Sequence, residues 1–126
     1  LVYSEQAIDH ATNPRNVGRL DPADAIGVDG DPVIGNLIRF YLRVDGDRVA
    51  AVGFQAFGCS ATIAAASVTT ELASGVPVAA LRTLDAATIE AALGGLPAEK
   101  RYCAAVAARA LQCALDALPA APSAGA

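Results

Sequence analysis

Two apolar segments joined by a tight turn constrain the fold of this chain more than any other feature. Residues 37–44 and 48–57 are rich in β-branched, aromatic and leucine residues, and Asp45-Gly46-Asp47 separates them. An Asp-Gly pair between two such segments is a strong β-hairpin signal, because glycine accepts the positive φ of tight turns. Two sets alternate along the first segment: Ile38, Phe40, Leu42 and Val44, and Leu37, Arg39, Tyr41 and Arg43. The first set predicts a core face covered by helices, and the second a wetter face.

Cap and breaker residues predict the helices around this hairpin. Ser4 can cap a helix over residues 5–12 that Asn13-Pro14 ends, and residues 60–74 are apolar all round, as in a buried helix. Residues 78–84 read as a short turn or helix, Asp85 can cap a helix over 86–93, and Pro97 can open a last helix to about Leu118.

Residues 25–28 can add an edge strand to the hairpin. Because the helices are segregated from this meander along the chain, we expect the α+β class, with a small antiparallel three-stranded sheet packed against helices.

Length and composition favour one domain. With 126 residues, 54% of them apolar, the chain can bury a single core, which we expect over residues 1–118. Residues 119–126 contain only Pro, Ala, Ser and Gly and predict a flexible tail.

Charge and hydropathy exclude several classes of partner. The net charge is −4 and there is no basic run, so nucleic acid is not expected as a partner. No apolar stretch reaches the roughly 18 residues that span a bilayer, and the first ten residues do not resemble a signal peptide. These features predict a cytoplasmic protein without membrane insertion. Its three cysteines are odd in number and far apart, which favours reduced thiols.

Three segments carry a family resemblance. YSEQAIDHATNPRNVG, at residues 3–18, is similar to YSxxVxDHxxNPRNVG; FGCSATIAAAS, at 57–67, is similar to YGCGSAIASSS; and LPAEKRYC, at 96–103, is similar to LPPVKIHC. In order and spacing the chain resembles the IscU/NifU N-terminal family of iron-sulfur cluster assembly scaffolds. The resemblance extends from about Tyr3 to Leu118 and implies an IscU-like fold.

The resemblance also implies a cluster site. The family binds a [2Fe-2S] cluster with three cysteines plus an aspartate or histidine, and Cys59 and Cys103 stand at two of these positions. Ile34, Asn36 and Tyr102 stand at the family's other cysteine, aspartate and histidine positions. Such a cluster needs four protein ligands, and these three side chains are poor donors at neutral pH. One chain is therefore short of ligands, although two chains meeting face to face could supply four thiolates.

Partners follow from the same resemblance. It implies contact with a cysteine desulfurase, and with an Hsp70-type chaperone through Leu96, Pro97 and Lys100. Ala98 and Glu99 depart from the family's Pro and Val in this segment.

Other reactive side chains have less specific roles. Cys59 and Cys103 lie next to predicted helix N-termini, near Lys100 and Arg101, so they are either a reactive thiolate pair or buried relics. We expect Cys113 to be a small apolar core residue, and the single histidine, His10, to be hydrogen-bonded or partner-facing.

Asp9 and Arg15 can hold the N-terminal segment to the body of the domain or to a partner. No arrangement of residues typical of an active site occurs in the sequence, so an enzyme is not expected.

Three functions stay open at this point. The first is a scaffold that holds a cluster or sulfur on Cys59 and Cys103. The second is a cluster-free accessory subunit of a larger protein complex, whose ligand pocket is filled by Ile34 and Tyr102. The third is a persulfide acceptor that needs only Cys103.

Overall fold

The computed structural model describes residues 2–119, which form a three-stranded sheet with helices packed on one face. Its elements are α1 (Glu5–Thr12), β1 (Ala25–Asp31), β2 (Asn36–Asp45), β3 (Arg48–Phe57), α2 (Ser60–Ala73), α3 (Val78–Leu81), α4 (Ala86–Ala92), the 3₁₀ turn Ala98–Lys100, and α5 (Arg101–Asp116). The predicted α+β class and the antiparallel sheet are confirmed.

Local signals set most of the boundaries. The Ser4 hydroxyl accepts the Ala7 N–H at 3.0 Å, and the Asp85 carboxylate accepts the Thr88 N–H at 2.9 Å, so both predicted caps are confirmed. The last helix begins at Arg101 rather than at Pro97, because a 3₁₀ turn intervenes. That turn sets where Lys100 lies relative to the start of α5.

The sheet has the order β1-β2-β3, with both pairs antiparallel. Gly46, with φ of 62°, makes the tight turn between β2 and β3, as the Asp-Gly pair predicts. Phe40 pairs with Phe54 and Leu42 with Val52, so the apolar faces of the two strands coincide. Ile38, Phe40 and Leu42 are fully buried, which confirms the predicted core face.

The outer face of the sheet is more buried than the alternation of residues along β2 predicts. Tyr41, assigned to the wetter face, is only 4% exposed, and its hydroxyl donates to the Gln55 side-chain oxygen at 2.5 Å. The segment before β1 runs along the free edge of β3, where the Gly18 N–H donates to the Phe54 carbonyl at 2.7 Å. Leu20 then lies over Gly53, the cross-strand neighbour of Tyr41, and covers this part of the face.

Helices α2 and α5 cover the other face. The buried residues of α2 lie all round the helix, as predicted, and α5 packs directly against β1. A Cβ at Gly27 would lie 2.1 Å from the Ala114 backbone nitrogen, so this helix and strand approach at backbone contact.

The prediction for Cys113 is wrong, because its side chain is exposed. It lies on the face of α5 that also carries the exposed residues Arg109 and Asp116, three or four positions away. Apart from Pro119, the predicted tail lies outside the described residues. Within residues 2–119, no helix is both long and apolar enough to cross a bilayer.

Candidate functional site

Two cysteines far apart in sequence meet around one threonine. Cys59 is the N-cap of α2, directly after β3, and Cys103 lies in the first turn of α5. The Thr62 hydroxyl oxygen is 3.5 Å from Cys59 Sγ and 3.6 Å from Cys103 Sγ. The fold therefore brings together the two thiols that the sequence singled out.

The Cys59 thiol ionises near neutral pH. Burial raises its pKa, but the Thr62 hydroxyl, the backbone amides of Thr62 and Ala61, and the Lys100 ammonium together lower the pKa to about 7. The amides belong to the start of α2, where free N–H groups favour an anion, although none makes a full capping hydrogen bond to the sulfur. At neutral pH a large fraction of Cys59 is thiolate.

Cys103 behaves differently from its neighbour. Its side chain is 0% exposed, and burial raises the pKa of this thiol further than the Thr62 hydroxyl lowers it. The nearby Cys59 charge also raises it. Neither alternative from the sequence, a reactive thiolate pair or two buried relics, fits both cysteines, because desolvation outweighs the helix N-terminus only at Cys103.

The three altered ligand positions share a groove beside the thiols. Ile34, Asn36 and Tyr102 line a groove of about 630 Å³ together with Asp29, Gly30, Asp31, Val106 and Arg109. Ile34 is 78% exposed and Tyr102 is 45% exposed, so the prediction that they fill a pocket is wrong. The loop between β1 and β2 holds Ile34 out toward solvent.

Neither Asn36 nor Tyr102 is an anionic donor at neutral pH. The Asn36 side-chain oxygen lies 3.5 Å from the Asp31 N–H, which donates to it. The charge of Cys103 and burial raise the pKa of the Tyr102 phenol above its ordinary value. Among residues 2–119, no three side chains of His, Cys, Asp or Glu converge to hold one metal ion.

A comparison with protein-family profiles matches residues 2–123 to the NifU-like N terminal domain. This chain belongs to that family. The predicted IscU/NifU resemblance is confirmed.

Relatives of this NifU-like domain agree with the assignment. The two iron-sulfur cluster assembly scaffold proteins IscU of Archaeoglobus fulgidus are each 41% identical to it over 90% of the chain and 74% of their own length. The nitrogen fixation protein NifU of Cereibacter sphaeroides is 47% identical over 89% of the chain and 46% of its length.

A solved structure agrees in fold. The N-terminal part of a NifU-like protein from Brucella abortus superposes with a TM-score of 0.72, over 91% of this chain and 92% of that one, at 15% identity.

The N-terminal motif of this NifU-like domain is anchored by a buried histidine. His10 Nδ1 lies 2.7 Å from the Ser67 hydroxyl, which also accepts the Arg15 N–H at 2.9 Å, and His10 Nε2 lies 3.2 Å from a Glu71 oxygen. A carboxylate only accepts, so the neutral imidazole carries its proton on Nε2, facing Glu71, and Nδ1 then accepts the Ser67 O–H.

Burial lowers the pKa of His10 further than Glu71 raises it, so we describe the Glu71 contact as a hydrogen bond of neutral imidazole. The expectation of a hydrogen-bonded His10 is confirmed. Asp9 and Arg15 pair with each other across the end of α1.

The segment predicted to contact a chaperone lies beside the thiols. Leu96 packs against the core and Pro97 is half-buried before the 3₁₀ turn. The charge of Cys59 is the main cause that raises the pKa of Lys100, so the two side chains stabilise each other's charged forms. Arg101, the other predicted cation, instead pairs with Glu90 at 2.8 Å.

Sequence reasoning missed Thr62. The sequence did contain a signal for it: Thr62 stands where the similar motif YGCGSAIASSS has alanine. A hydroxyl in a helix predicted to be buried needs a hydrogen-bond partner, and the thiols are that partner.

Proposed function

We propose that this NifU-like domain acts in iron-sulfur cluster assembly by carrying sulfur in transit at Cys59 and Cys103. The observation that supports it best is the convergence of both thiols on the Thr62 hydroxyl, with one thiol ionised near neutral pH. Thiolates are the nucleophiles that accept sulfane sulfur from a persulfide. Relatives named as iron-sulfur cluster assembly scaffolds, at 41% identity, support the same process. The role is that of a carrier rather than of an enzyme.

A complete [2Fe-2S] cluster does not fit the donors of one chain. Such a cluster takes four protein ligands, and the positions that the resemblance assigns to ligands offer two thiols beside an amide, a phenol and an aliphatic side chain. The groove also holds two carboxylates, but Asp29 pairs with Arg109 and the Asp31 side chain accepts the Val33 N–H. In the proposal the cluster is cargo, and its remaining donors come from outside the single chain, whether a second copy or a partner.

An apolar rim supports docking of a protein partner at the thiols. Val33 and Ile34 project from the loop between β1 and β2, with Val33 92% exposed. Phe57, at the end of β3, and Tyr102 add exposed aromatic surface next to the cysteines. Exposed apolar side chains clustered around a reactive group are typical of a partner surface. The proposal therefore includes a sulfur-donating protein such as a cysteine desulfurase.

A chaperone partner is a separate part of the proposal. Leu96 is partly buried against the core, and Lys100 lies beside Cys59. An Hsp70-type chaperone that bound Leu96, Pro97 and Lys100 would therefore contact the thiol site itself. Binding of the chaperone is then expected to change the rate of sulfur loading, and loaded sulfur is expected to change the affinity for the chaperone.

The rim also suits a cluster-free subunit of a larger complex. An accessory role does not, however, require a thiol whose pKa is lowered to about 7, so the thiols favour sulfur carriage.

The test is anaerobic incubation with a cysteine desulfurase and cysteine, followed by intact-mass and peptide-mass analysis. We expect the mass of one added sulfur atom on Cys59 or Cys103, and none in the matched Cys59→Ser/Cys103→Ser variant, which retains Cys113. Absence of added sulfur on both cysteines of the folded wild type would overturn the proposal. Parallel reconstitution with iron and sulfide is expected to leave the monomer without a stable chromophore.

A further inference from the structure

The two thiols of the site are not equivalent, and the difference assigns them separate roles. We infer that Cys59, rather than Cys103, accepts the incoming sulfur, and that the Thr62 hydroxyl is a positioning group that holds the Cys59 sulfur through a hydrogen bond. This inference rests on the proposed function and goes beyond it by choosing between the thiols, whereas one of the three sequence hypotheses needed only Cys103 as acceptor.

Access favours Cys59. The Cys103 side chain is 0% exposed, whereas Cys59 is half-buried between the exposed residues Gly58 and Ser60. A persulfide donor must bring its outer sulfur into contact with the accepting sulfur, along the line of the bond that breaks. Only Cys59 offers such an approach without movement of α5.

The Thr62 hydroxyl supports the same assignment. Its oxygen is fully buried, and its partners among residues 2–119 are the two sulfurs. The other two threonines of α2 instead donate to carbonyls of their own helix, Thr69 to Ala65 and Thr70 to Ser67, each at 2.7 Å. Thr62 is therefore directed at the thiols and not used by the helix backbone.

One hydroxyl proton can serve only one of the two sulfurs. Thr62 donates this proton to the sulfur that carries charge and accepts the S–H of the other. A fully buried thiol avoids charge, so the complete burial of Cys103 leaves the thiolate role to the accessible Cys59. The chain of hydrogen bonds then runs from the Cys103 S–H to Thr62 Oγ1, and from Thr62 O–H to the Cys59 thiolate.

The transfer step balances without a redox partner. The Cys59 thiolate attacks the outer sulfur of a donor persulfide, R–S–SH, and forms a new S–S bond. The S–S bond of the donor breaks, its electron pair leaves on the donor sulfur as thiolate R–S⁻, and the proton stays on the transferred sulfur. The product is Cys59–S–SH, with Cys103 still a thiol.

Glutathione persulfide is a suitable probe because it needs no docking surface. The experiment loads full-length protein anaerobically in a Cys113→Ser background, and alkylation and peptide-mass analysis then locate the added sulfur. We expect sulfur on Cys59, retained loading in Cys103→Ser, and lost loading in Cys59→Ser. Added sulfur on Cys103 alone would overturn the inference while leaving the proposed function in place. No added sulfur on either cysteine, here and with the desulfurase, would overturn both.

Variants of Thr62 test the positioning role. Thr62→Val keeps the shape and removes the hydroxyl, and we expect loading of Cys59 to slow roughly tenfold or more, as for loss of a hydrogen bond to a charged group. Thr62→Ser keeps the hydroxyl and is expected to load within about twofold of wild type.

Thr69→Val is the matched control, because it removes a fully buried hydroxyl from the same helix away from the thiols. If Thr62 had only a structural role, the loading rates of Thr62→Val and Thr69→Val would both fall in proportion to the fraction of protein that each variant leaves unfolded. Equal loading rates for these two folded variants would overturn the role of Thr62.

Discussion

The Lys100 ammonium lowers the pKa of the Cys59 thiol, although the two residues are separated by the whole of α2, α3 and α4. Lys100 ends the 3₁₀ turn before α5 and Cys59 is the N-cap of α2, so this interaction links the segment predicted to bind a chaperone with the thiol site. A partner that neutralised Lys100 would remove a positive charge that favours the Cys59 thiolate. Binding of such a partner would therefore change the reactivity of the thiol.

The first prediction concerns the pH dependence of Cys59 alkylation. In a Cys103→Ser/Cys113→Ser background, we expect the rate with iodoacetamide to rise with a midpoint of about pH 7, because that is the pKa of the Cys59 thiol. Lys100→Ala is expected to move the midpoint upward, and Lys100→Arg to keep it near the wild-type value. Stopped-flow or quenched mass spectrometry measures the rates. A midpoint near 9 in the wild type would contradict the prediction.

The second prediction concerns acid sensitivity through His10. Burial lowers its pKa below the ordinary 6.5, so the unfolded chain takes up a proton at a higher pH than the folded chain does. This contribution to stability is full above about pH 6.5 and is lost as the pH falls. We therefore expect the stability advantage of wild type over His10→Gln to shrink between neutral and mildly acidic pH.

Urea unfolding at each pH measures this advantage, with Glu71→Gln as the control for the neighbouring carboxylate. An advantage that grew on acidification would show that His10 is protonated in the folded protein.

Local chemistry explains which parts of the fold the sequence could predict. The Asp45-Gly46-Asp47 turn and the Ser4 and Asp85 caps act within a few residues, so their elements were predicted correctly. Tyr41 was assigned from strand alternation and Cys113 from its residue type. The exposure of each side chain depends on whether a distant segment covers it. The segment around Leu20 covers the sheet beside Tyr41, whereas Cys113 is exposed to solvent.

The site shows the same division. Family motifs identified Cys59 and Cys103, and the fold brings them together. Their inequality could not be predicted, because both lie near helix N-termini and only packing shows that Cys103 is fully buried. The outward position of Ile34 likewise depends on the conformation of its loop and not on its hydropathy.

The third prediction tests the close approach of α5 to β1. Gly27→Ala places a methyl group against the Ala114 backbone, which cannot move without shifting the helix. We expect a loss of about 3 kcal/mol in the free energy of unfolding, measured from urea midpoints. Val28→Ala, next in the same strand and facing outward, is the control and should cost no more than about 1 kcal/mol. Equal midpoints for Gly27→Ala and wild type would mean that helix and strand lie farther apart.

The fourth prediction restores the altered ligand positions together. Ile34, Asn36 and Tyr102 line one groove beside the two thiols, so Ile34→Cys, Asn36→Asp and Tyr102→His should add three donors to the same centre. After anaerobic reconstitution with ferrous iron and sulfide, we expect the triple variant to retain about two irons per chain with visible absorption, since five donors then exceed the four that a [2Fe-2S] unit needs. The wild-type monomer should lose its iron on desalting.

Adding Cys59→Ser and Cys103→Ser together to the triple variant is the control, because it leaves the three new donors without either thiolate, below the four that a [2Fe-2S] unit needs. Stable iron retention by the wild-type monomer would show that one chain already holds a cluster. Retention unaffected by the loss of both thiolates would show that the new donors bind iron away from the thiols. Loss of iron from the triple variant alongside wild type would mean that the loop holding Ile34 does not close over the cysteines, and the missing chemistry would then be as much a matter of backbone position as of side-chain identity.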